Sequence, residues 1–302
     1  MTAEQINAKA LEFISNQDFE NAQKLLFENA KANPSYQTYG NLGHFIVSVG
    51  FARNDKRADK GFKLGYKYLL TSLKMKPTLT NSYALVQAIE RHVQSKSLQR
   101  NFYYKKAKTL LISVDGMVQD TEHKYNILRY EYLLNPKDTS LLKQAESIFE
   151  ENPSAEAAEL YLGLLGINQS KKGIDFISEH RAFLDAVDLL MYYSKIGEYE
   201  KGYELCEDVL RIYSIDKFIA SAIIECCVNT AHFDEAKVYA QEISENQSGR
   251  TRRSRHVFKH IFKSLLKSSK YRKRMLLKYH PLPPLISRCG YFGCPNHKTN
   301  WL

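Results

Sequence analysis

Four side chains that could ligate a metal ion occur near the end of the sequence. Cys289, Cys294 and His297 follow a Cys-x4-Cys-x2-His spacing, and His280 lies nine positions before Cys289. Thiolate and imidazole groups are ligands that zinc prefers, and a bound ion can order a segment too short to form its own core. One interpretation is therefore a structural zinc site with His280 as the fourth ligand. A reducible disulfide between Cys289 and Cys294, or side chains that bind nothing, are the other interpretations that remain open.

Patterns of catalytic residues are absent from the rest of the sequence. It contains neither of the two glycine-rich phosphate-binding motifs, no Gly-x-Ser-x-Gly motif and no His-Glu-x-x-His motif. Cys226 and Cys227 are neighbours in a predicted helix, so they do not face each other, and buried small side chains are the simpler interpretation. Carboxylates such as Glu150 and Glu151 lie on predicted helix faces beside basic residues, which is typical of a solvated surface. We therefore expect that the protein is not an enzyme.

The formal net charge of +10 is distributed unevenly along the chain. The segment 246–302 contains 14 lysines and arginines and no aspartate or glutamate, whereas the first 245 residues contain 29 basic residues and all 33 acidic ones. A slightly acidic body therefore carries a strongly basic segment. This asymmetry predicts an anionic partner, which could be a nucleic acid, an acidic protein or an anionic lipid surface; a solvated segment without a specific partner is the alternative.

Most of these basic residues form the candidate anion-binding surface. Like charges close together repel one another, and a polyanion would relieve the repulsion and release counterions. Aromatic residues in the same segment, Tyr271 and Tyr279 among them, could stack on unpaired bases. No base-reading motif accompanies the charges, so we expect no sequence-specific recognition. The residues of this surface are Arg250, Arg252, Arg253, Arg255, Lys259, Lys263, Lys267, Lys270, Arg272, Lys273 and Arg274.

The segment 250–280 predicts one long basic helix. Its apolar side chains recur at helical spacing and form one stripe, and its lysines lie on another face. Such a stripe is most simply a cap that covers the last exposed apolar face of a helical array. A detached amphipathic helix that binds a membrane surface or a partner groove is the alternative. The stripe consists of Val257, Phe258, Ile261, Phe262, Leu265 and Leu266.

Most of the remaining chain predicts helices of moderate length joined by short turns. Residues 6–14 and 19–32 show the apolar spacing of amphipathic helices, and Asn33 before Pro34 ends the second. A large residue followed three positions later by a small one recurs where the second helix of each predicted pair begins. Antiparallel helices approach closely only where a side chain is small, so the pattern predicts stacked pairs. The copies are Phe19/Ala22, Phe62/Gly65, Tyr104/Ala107, Leu142/Ala145, Tyr199/Gly202 and Phe233/Ala236, with a weaker one at Ser170/Gly173.

This pattern resembles the tetratricopeptide (TPR) repeat. The residues at matching offsets are Ala10, Phe13, Phe19, Ala22 and Pro34, and the segments 197–210 and 232–243 resemble second helices of such repeats. The resemblance implies an all-α fold, a right-handed α-solenoid of stacked antiparallel helix pairs. A non-repetitive helical bundle is the alternative. We expect three segments: a repeat array over 1–245, a basic capping helix over 246–280, and a tail with proline, cysteine and histidine over 281–302.

The resemblance also implies a function. A TPR-like array offers a concave groove, formed by its first helices, that suits a peptide or helix of a partner protein. We therefore expect a non-catalytic interaction scaffold or adaptor; the alternative is a nucleic-acid-associated adaptor that uses the basic segment. No run of 18 apolar residues and no signal-peptide pattern occurs, which predicts a cytoplasmic protein without a transmembrane segment.

Overall fold

The computed structural model shows an all-α chain. Every regular element that it describes is helical, and none of the described residues belongs to a strand. The predicted all-α class is therefore confirmed for the part of the chain that the structure describes. That part comprises residues 2–50, 58–95, 99–118, 120–166, 168–213, 215–246, 261 and 263–286.

The chain divides into two compact units. Unit 1 consists of Met1–Asn135 together with Pro284–Leu302, and unit 2 consists of Pro136–Pro283. These units are defined by tertiary contacts. The predicted segments 1–245, 246–280 and 281–302 were defined by repeats and charge, and that division of the chain stays a prediction.

Polar caps begin several helices of unit 1. The Thr2 hydroxyl accepts a hydrogen bond from the Gln5 backbone N–H, and the carboxylates of Asp18 and Asp120 cap two later helices in the same way. The apolar faces of these helices form the core of the unit. The described α-helices are α1 (Ala3–Ser15), α2 (Phe19–Ala32), α3 (Tyr36–Phe45), α4 (Ala58–Met75), α5 (Leu79–Ser95), α6 (Arg100–Ile112) and α7 (Thr121–Leu134), with a π-helical turn at Ile46–Gly50 and a 3-10 turn at Asp115–Met117.

Unit 2 contains shorter helices around a core of its own. The segment 197–210, predicted as one second helix, forms two helices, because the first begins at Tyr199 and ends at Tyr203 and the second begins at Cys206. The described α-helices are α8 (Leu142–Glu151), α9 (Ala155–Leu165), α10 (Ser170–His180), α11 (Ala186–Ile196), α12 (Tyr199–Tyr203), α13 (Cys206–Ile212), α14 (Lys217–Asn229), α15 (Phe233–Asn246) and α16 (Ser269–Lys278), with 3-10 turns at Thr139–Leu141 and Arg181–Phe183.

The small residues of the repeated pattern lie where helices pack most closely. The four alanines of the pattern, at 22, 107, 145 and 236, are at most 1% exposed. A Cβ atom added at Gly65 would collide with the Val47 side chain and would lie 2.8 Å from the Gly43 carbonyl oxygen. A Cβ atom at Gly202 would lie 2.5 Å from Cys226 Sγ. The pattern therefore identified positions of close helix contact in both units.

The basic segment is not one continuous helix, which corrects the prediction for 250–280. Residues 263–267 are helical, but Ser268 has extended backbone angles, and its hydroxyl accepts a hydrogen bond from the Tyr271 backbone N–H. Serine favours this capping role over a helix interior, so a new helix, α16, begins at Ser269. This helix ends at Lys278, before His280.

The described part of the apolar stripe packs on the core of unit 2. Leu265 is fully buried among residues that include Ala236 and Ala240 of α15, and Ile261 and Leu266 are partly buried in the same cluster. Leu265 therefore belongs to this core, and the interpretation of the whole stripe as a cap stays a prediction. Val257, Phe258 and Phe262 lie outside the described residues.

Candidate binding surfaces

An open groove lies between α8, α9 and α10 of unit 2. Its volume is about 370 Å³, and it is lined by aromatic and acidic side chains. Three consecutive helices supply its aromatic side chains: Phe149 comes from α8, Tyr161 from α9, and Phe176 and His180 from α10. We call it the acidic groove.

Aromatic rings form the floor of the acidic groove. The ring centroids of Phe149 and Phe176 are 5.1 Å apart and the rings meet edge to face, as do Tyr161 and Phe176 at 4.8 Å. The His180 ring lies 4.9 Å from Phe149. Edge-to-face packing holds these side chains in fixed orientations, so the groove presents a rigid apolar surface.

Carboxylates form the rim. Glu146 and Glu150 are four residues apart on α8, and Asp175 and Glu179 are four residues apart on α10, so each pair shares one helix face. Glu150, Asp175 and Glu179 are exposed. The lining contains one lysine, Lys172, against these four acids. The groove therefore carries a negative charge over an aromatic floor.

One rim carboxylate is already engaged. Glu146 Oε1 accepts hydrogen bonds from Lys172 Nζ at 2.7 Å and from the Tyr161 hydroxyl at 2.9 Å. These two bonds lower the pKa of Glu146, that of Lys172 contributing most. Because this lysine is paired with Glu146, it does not neutralise the other three carboxylates. Of these, Glu179 Oε2 lies 3.8 Å from His180 Nε2, a second basic group of the lining.

A second, smaller pocket of unit 2 gathers titratable groups with shifted pKa values. It is lined by side chains of α9 and α11 and by Tyr279 and Pro281. Lys195 Nζ donates a hydrogen bond to the Tyr279 carbonyl oxygen at 2.6 Å and lies 5.1 Å from the centre of the Tyr279 ring. Burial lowers the pKa of Lys195 to about 8. Burial and the neighbouring Asp185 carboxylate raise the pKa of Asp188 to about 7.

Comparison with known proteins assigns no family to this chain: no family model matches it, and neither does any curated protein. The resemblance to TPR repeats therefore stays a prediction from the residues named above. Within the described residues, no helix combines the length and the apolar character that crossing a bilayer requires.

The structure places part of the candidate anion-binding surface on the outside of unit 2. Lys263, Lys267, Lys270, Lys273 and Arg274 are all exposed. The last three lie at helical spacing on one face of α16. Five predicted members of the surface, Arg250, Arg252, Arg253, Arg255 and Lys259, lie outside the described residues.

Arg272 has a different location from the rest of that surface. Its side chain is 4% exposed and forms an ion pair with Glu225 of α14, whose side chain is fully buried. Its Nη1 atom also donates a hydrogen bond to the Leu265 carbonyl oxygen at 2.7 Å. Arg272 therefore belongs to the interior of unit 2 and not to its solvent-facing basic residues.

The candidate metal ligands are described only in part. Cys289, Cys294 and His297 lie outside the described residues. His280 is half-buried, and burial, followed by the charges of Lys195 and Lys137, lowers its pKa. Among the residues that the structure describes, no three His, Cys, Asp or Glu side chains come together as a metal site would require. The zinc interpretation stays a prediction.

The acidic groove was not predicted from the sequence. Glu150 was interpreted as part of a solvated surface, and the groove residues were not grouped. The sequence does contain the signal. Glu146, Phe149 and Glu150 lie at helical spacing on α8, and Asp175, Phe176 and Glu179 lie at helical spacing on α10. That these two helix faces converge depends on the fold.

Proposed function

We propose that this protein is a non-catalytic interaction scaffold that binds a segment of a partner protein in the acidic groove. The observation that carries the proposal is the combination of an aromatic floor with a rim of four carboxylates, of which only Glu146 is paired with the one lysine of the lining. A segment that presents lysine or arginine next to an apolar or aromatic residue would complement both features.

Charge gives the physical reason for a cationic partner. Like charges four residues apart on a helix destabilise it by about 0.2–0.5 kcal/mol per pair. Asp175 and Glu179 form such a pair on α10. A lysine or arginine between the two helices would relieve this repulsion, and its aliphatic stem and charged head would pack against the faces of the rings.

The proposed architecture is a TPR-like right-handed α-solenoid. Its support is that helices adjacent in the chain pack against each other, and that the small residues of the repeated pattern lie at close helix contacts. The acidic groove is lined mainly by α8 and α10, which open with the second-helix pattern. The concave groove predicted for the first helices is thus a separate surface in this proposal.

Selection of peptides with the full chain tests the proposal. A displayed library of random 12-residue peptides is expected to yield sequences that combine lysine or arginine with an aromatic or leucine residue. These peptides should lose binding to the double variant Asp175→Lys/Glu179→Lys. The variant Glu200→Lys, at an exposed position of α12 outside the groove, is the matched control and should bind as the wild type does.

Two results would contradict the proposal. One is a selection that enriches no such sequences over the empty support. The other is a set of peptides that binds the double variant as tightly as the wild type, because their site would then lie elsewhere. Circular dichroism spectra of both variants should match that of the wild type, which checks that they are folded.

A nucleic-acid-associated adaptor with a cytoplasmic location is the second proposed role, and the basic face of α16 favours it. Lys270, Lys273 and Arg274 are exposed, and no described carboxylate forms a salt bridge with them. Binding of a labelled single-stranded oligonucleotide should fall steeply as salt rises. Changing these three residues to glutamate should reduce the slope of log K against log salt by about 2.

The arginines at 250, 252, 253 and 255 are tested in the same titration. Oligonucleotide binding that survives their replacement by glutamate, together with that of the α16 residues, would remove this surface from the proposal. An absence of binding at low salt would leave an acidic protein as its partner.

A further inference from the structure

A proline-rich segment of the chain is bound to the surface of α7 in unit 1. Residues 281–286 contain no helix or strand, and three of the first four are prolines. Proline fixes its own backbone in an extended-type conformation and restricts the residue before it. The segment Pro284–Ile286, which belongs to unit 1, therefore meets α7 as an extended peptide would.

Asn126 of α7 recognises the main chain of this segment. Its Oδ1 atom accepts a hydrogen bond from the Ile286 backbone N–H at 3.0 Å, and its Nδ2 atom donates one to the Ile286 carbonyl oxygen at 2.9 Å. One side-chain amide thus satisfies both polar groups of a single residue. This pair of hydrogen bonds recognises the main chain of an extended residue, whatever side chain that residue carries.

The neighbouring residues add selectivity. The Tyr125 hydroxyl donates a hydrogen bond to the Pro284 carbonyl oxygen at 2.9 Å. Proline has no backbone N–H, so this carbonyl oxygen is the one main-chain polar group of Pro284 that needs a partner. Leu285 packs against the hydrophobic cluster of unit 1 that contains Tyr130. Main-chain hydrogen bonds combined with one apolar anchor are the usual elements of extended-peptide recognition.

The receptor side is built and rigid. Asn126 is fully buried and also donates a hydrogen bond to the Tyr83 hydroxyl at 3.3 Å. The Tyr83 hydroxyl in turn lies 2.9 Å from His123 Nδ1. These buried groups hold the amide in the orientation that faces Ile286, so its position does not depend on the segment alone.

We propose that this surface of α7 is a binding site for an extended segment of the type Pro-Leu-Ile, and that the chain's own residues 284–286 occupy it in cis. A partner protein that carries such a segment would compete for the site and displace them. This inference is independent of the acidic groove, which belongs to unit 2.

The chain's own residues 284–286 should compete strongly with any separate peptide for this site. A tethered segment acts at an effective concentration on the order of 1 mM. For an intrinsic Kd of about 0.1 mM or tighter, occupancy in cis weakens binding of the same sequence in trans about tenfold or more. The wild-type chain should therefore bind a free copy of the segment poorly, whereas a chain whose segment is released should bind it well.

A synthetic peptide of residues 281–288 (PLPPLISR) is the probe, and the full chain with Leu285→Asp and Ile286→Pro is the released form. The first change removes the apolar anchor, and the second removes the N–H that Asn126 accepts. The peptide should bind the released chain at least tenfold more tightly than the wild type. A peptide with the leucine of position 285 changed to aspartate should not bind, and Asn126→Leu in the released chain should abolish binding.

Amide hydrogen exchange on the wild-type full chain gives a second measurement that needs no variant. The Ile286 N–H should be protected, and an excess of the peptide should increase its exchange rate because the peptide displaces the segment. Equal affinity of the peptide for both chains, no binding to the folded released chain, or an Ile286 exchange rate unchanged by the peptide would each overturn the proposal.

Discussion

The carboxylate of Glu225 in α14 and the guanidinium of Arg272 in α16 form an ion pair in the interior of unit 2. Arg272 also donates a hydrogen bond to the carbonyl oxygen of Leu265, which precedes the helix break at Ser268. One side chain thus connects three segments: α14, the helical residues 263–267 and α16. The packing of residues 263–278 against α14 therefore depends on this side chain.

Removing one partner of this ion pair should be strongly destabilising. Arg272→Met leaves the Glu225 carboxylate buried without its counter-ion, and we expect a loss of about 3–5 kcal/mol in the free energy of unfolding. The double variant Arg272→Met/Glu225→Leu should lose clearly less, because neither charge remains buried. Urea unfolding followed by circular dichroism measures both. Equal losses in the single and double variants would contradict the ion-pair account.

The close approach of α3 and α4 at Gly65 predicts a second effect. Gly65→Ala places a Cβ atom against Val47 and the Gly43 carbonyl oxygen, and the resulting clash should outweigh the gain of about 1 kcal/mol in helix propensity. We expect a net destabilisation of about 1–3 kcal/mol. Gly116→Ala is the control, since nothing lies within 4 Å of its added Cβ atom. Thermal unfolding of the two variants should differ; if Gly65→Ala melts like the control, the helix register is wrong.

The pKa of Asp188 predicts a pH-dependent effect on stability. Its folded-state pKa is raised to about 7, so between about pH 4 and pH 7 the folded chain retains a proton that the unfolded chain releases. Stability from this group is therefore lost as pH rises through that window. Asp188→Asn resembles the protonated side chain, and its amide can donate to Asp185.

We expect Asp188→Asn to raise the melting temperature at pH 8 and to leave it nearly unchanged at pH 5. Glu200→Gln, an exposed change on α12, should shift neither value and controls for the loss of a charge. A stabilisation of equal size at both pH values would show that the carboxyl group of Asp188 is not the titrating group.

The zinc interpretation predicts about one equivalent of zinc in protein purified without a histidine tag. His280 is the predicted fourth ligand, and a neutral imidazole is the form that binds metal. His280→Ala should weaken zinc binding. The control is His232→Ala, because the His232 ring stacks on Tyr203, and this change should leave zinc binding unaltered. Metal analysis that finds less than about a tenth of an equivalent in the wild type would contradict the site.

Local spacing determined the helices that carry their own boundary signals. α2 has the bounds 19–32 that its pattern predicts, because the Asp18 side chain caps its first turn and Pro34 prevents its continuation. The small positions at Ala22, Gly65 and Gly202 were also predictable, because close helix packing restricts side-chain size wherever it occurs. These features depend on residues that are close in the sequence or on a spacing of large and small residues that recurs along the chain.

Tertiary structure alone decided the sites. The charge of Arg272 suggested an exposed anion-binding role, but its partner Glu225 is 47 residues away. Ile286 and Asn126 are 160 residues apart, and no local pattern relates an extended segment to one amide on a helix. The two acidic helix faces of the groove are also separate in the sequence. Contacts between distant residues depend on how helices pack, whereas spacing reports only what one helix presents on each of its faces.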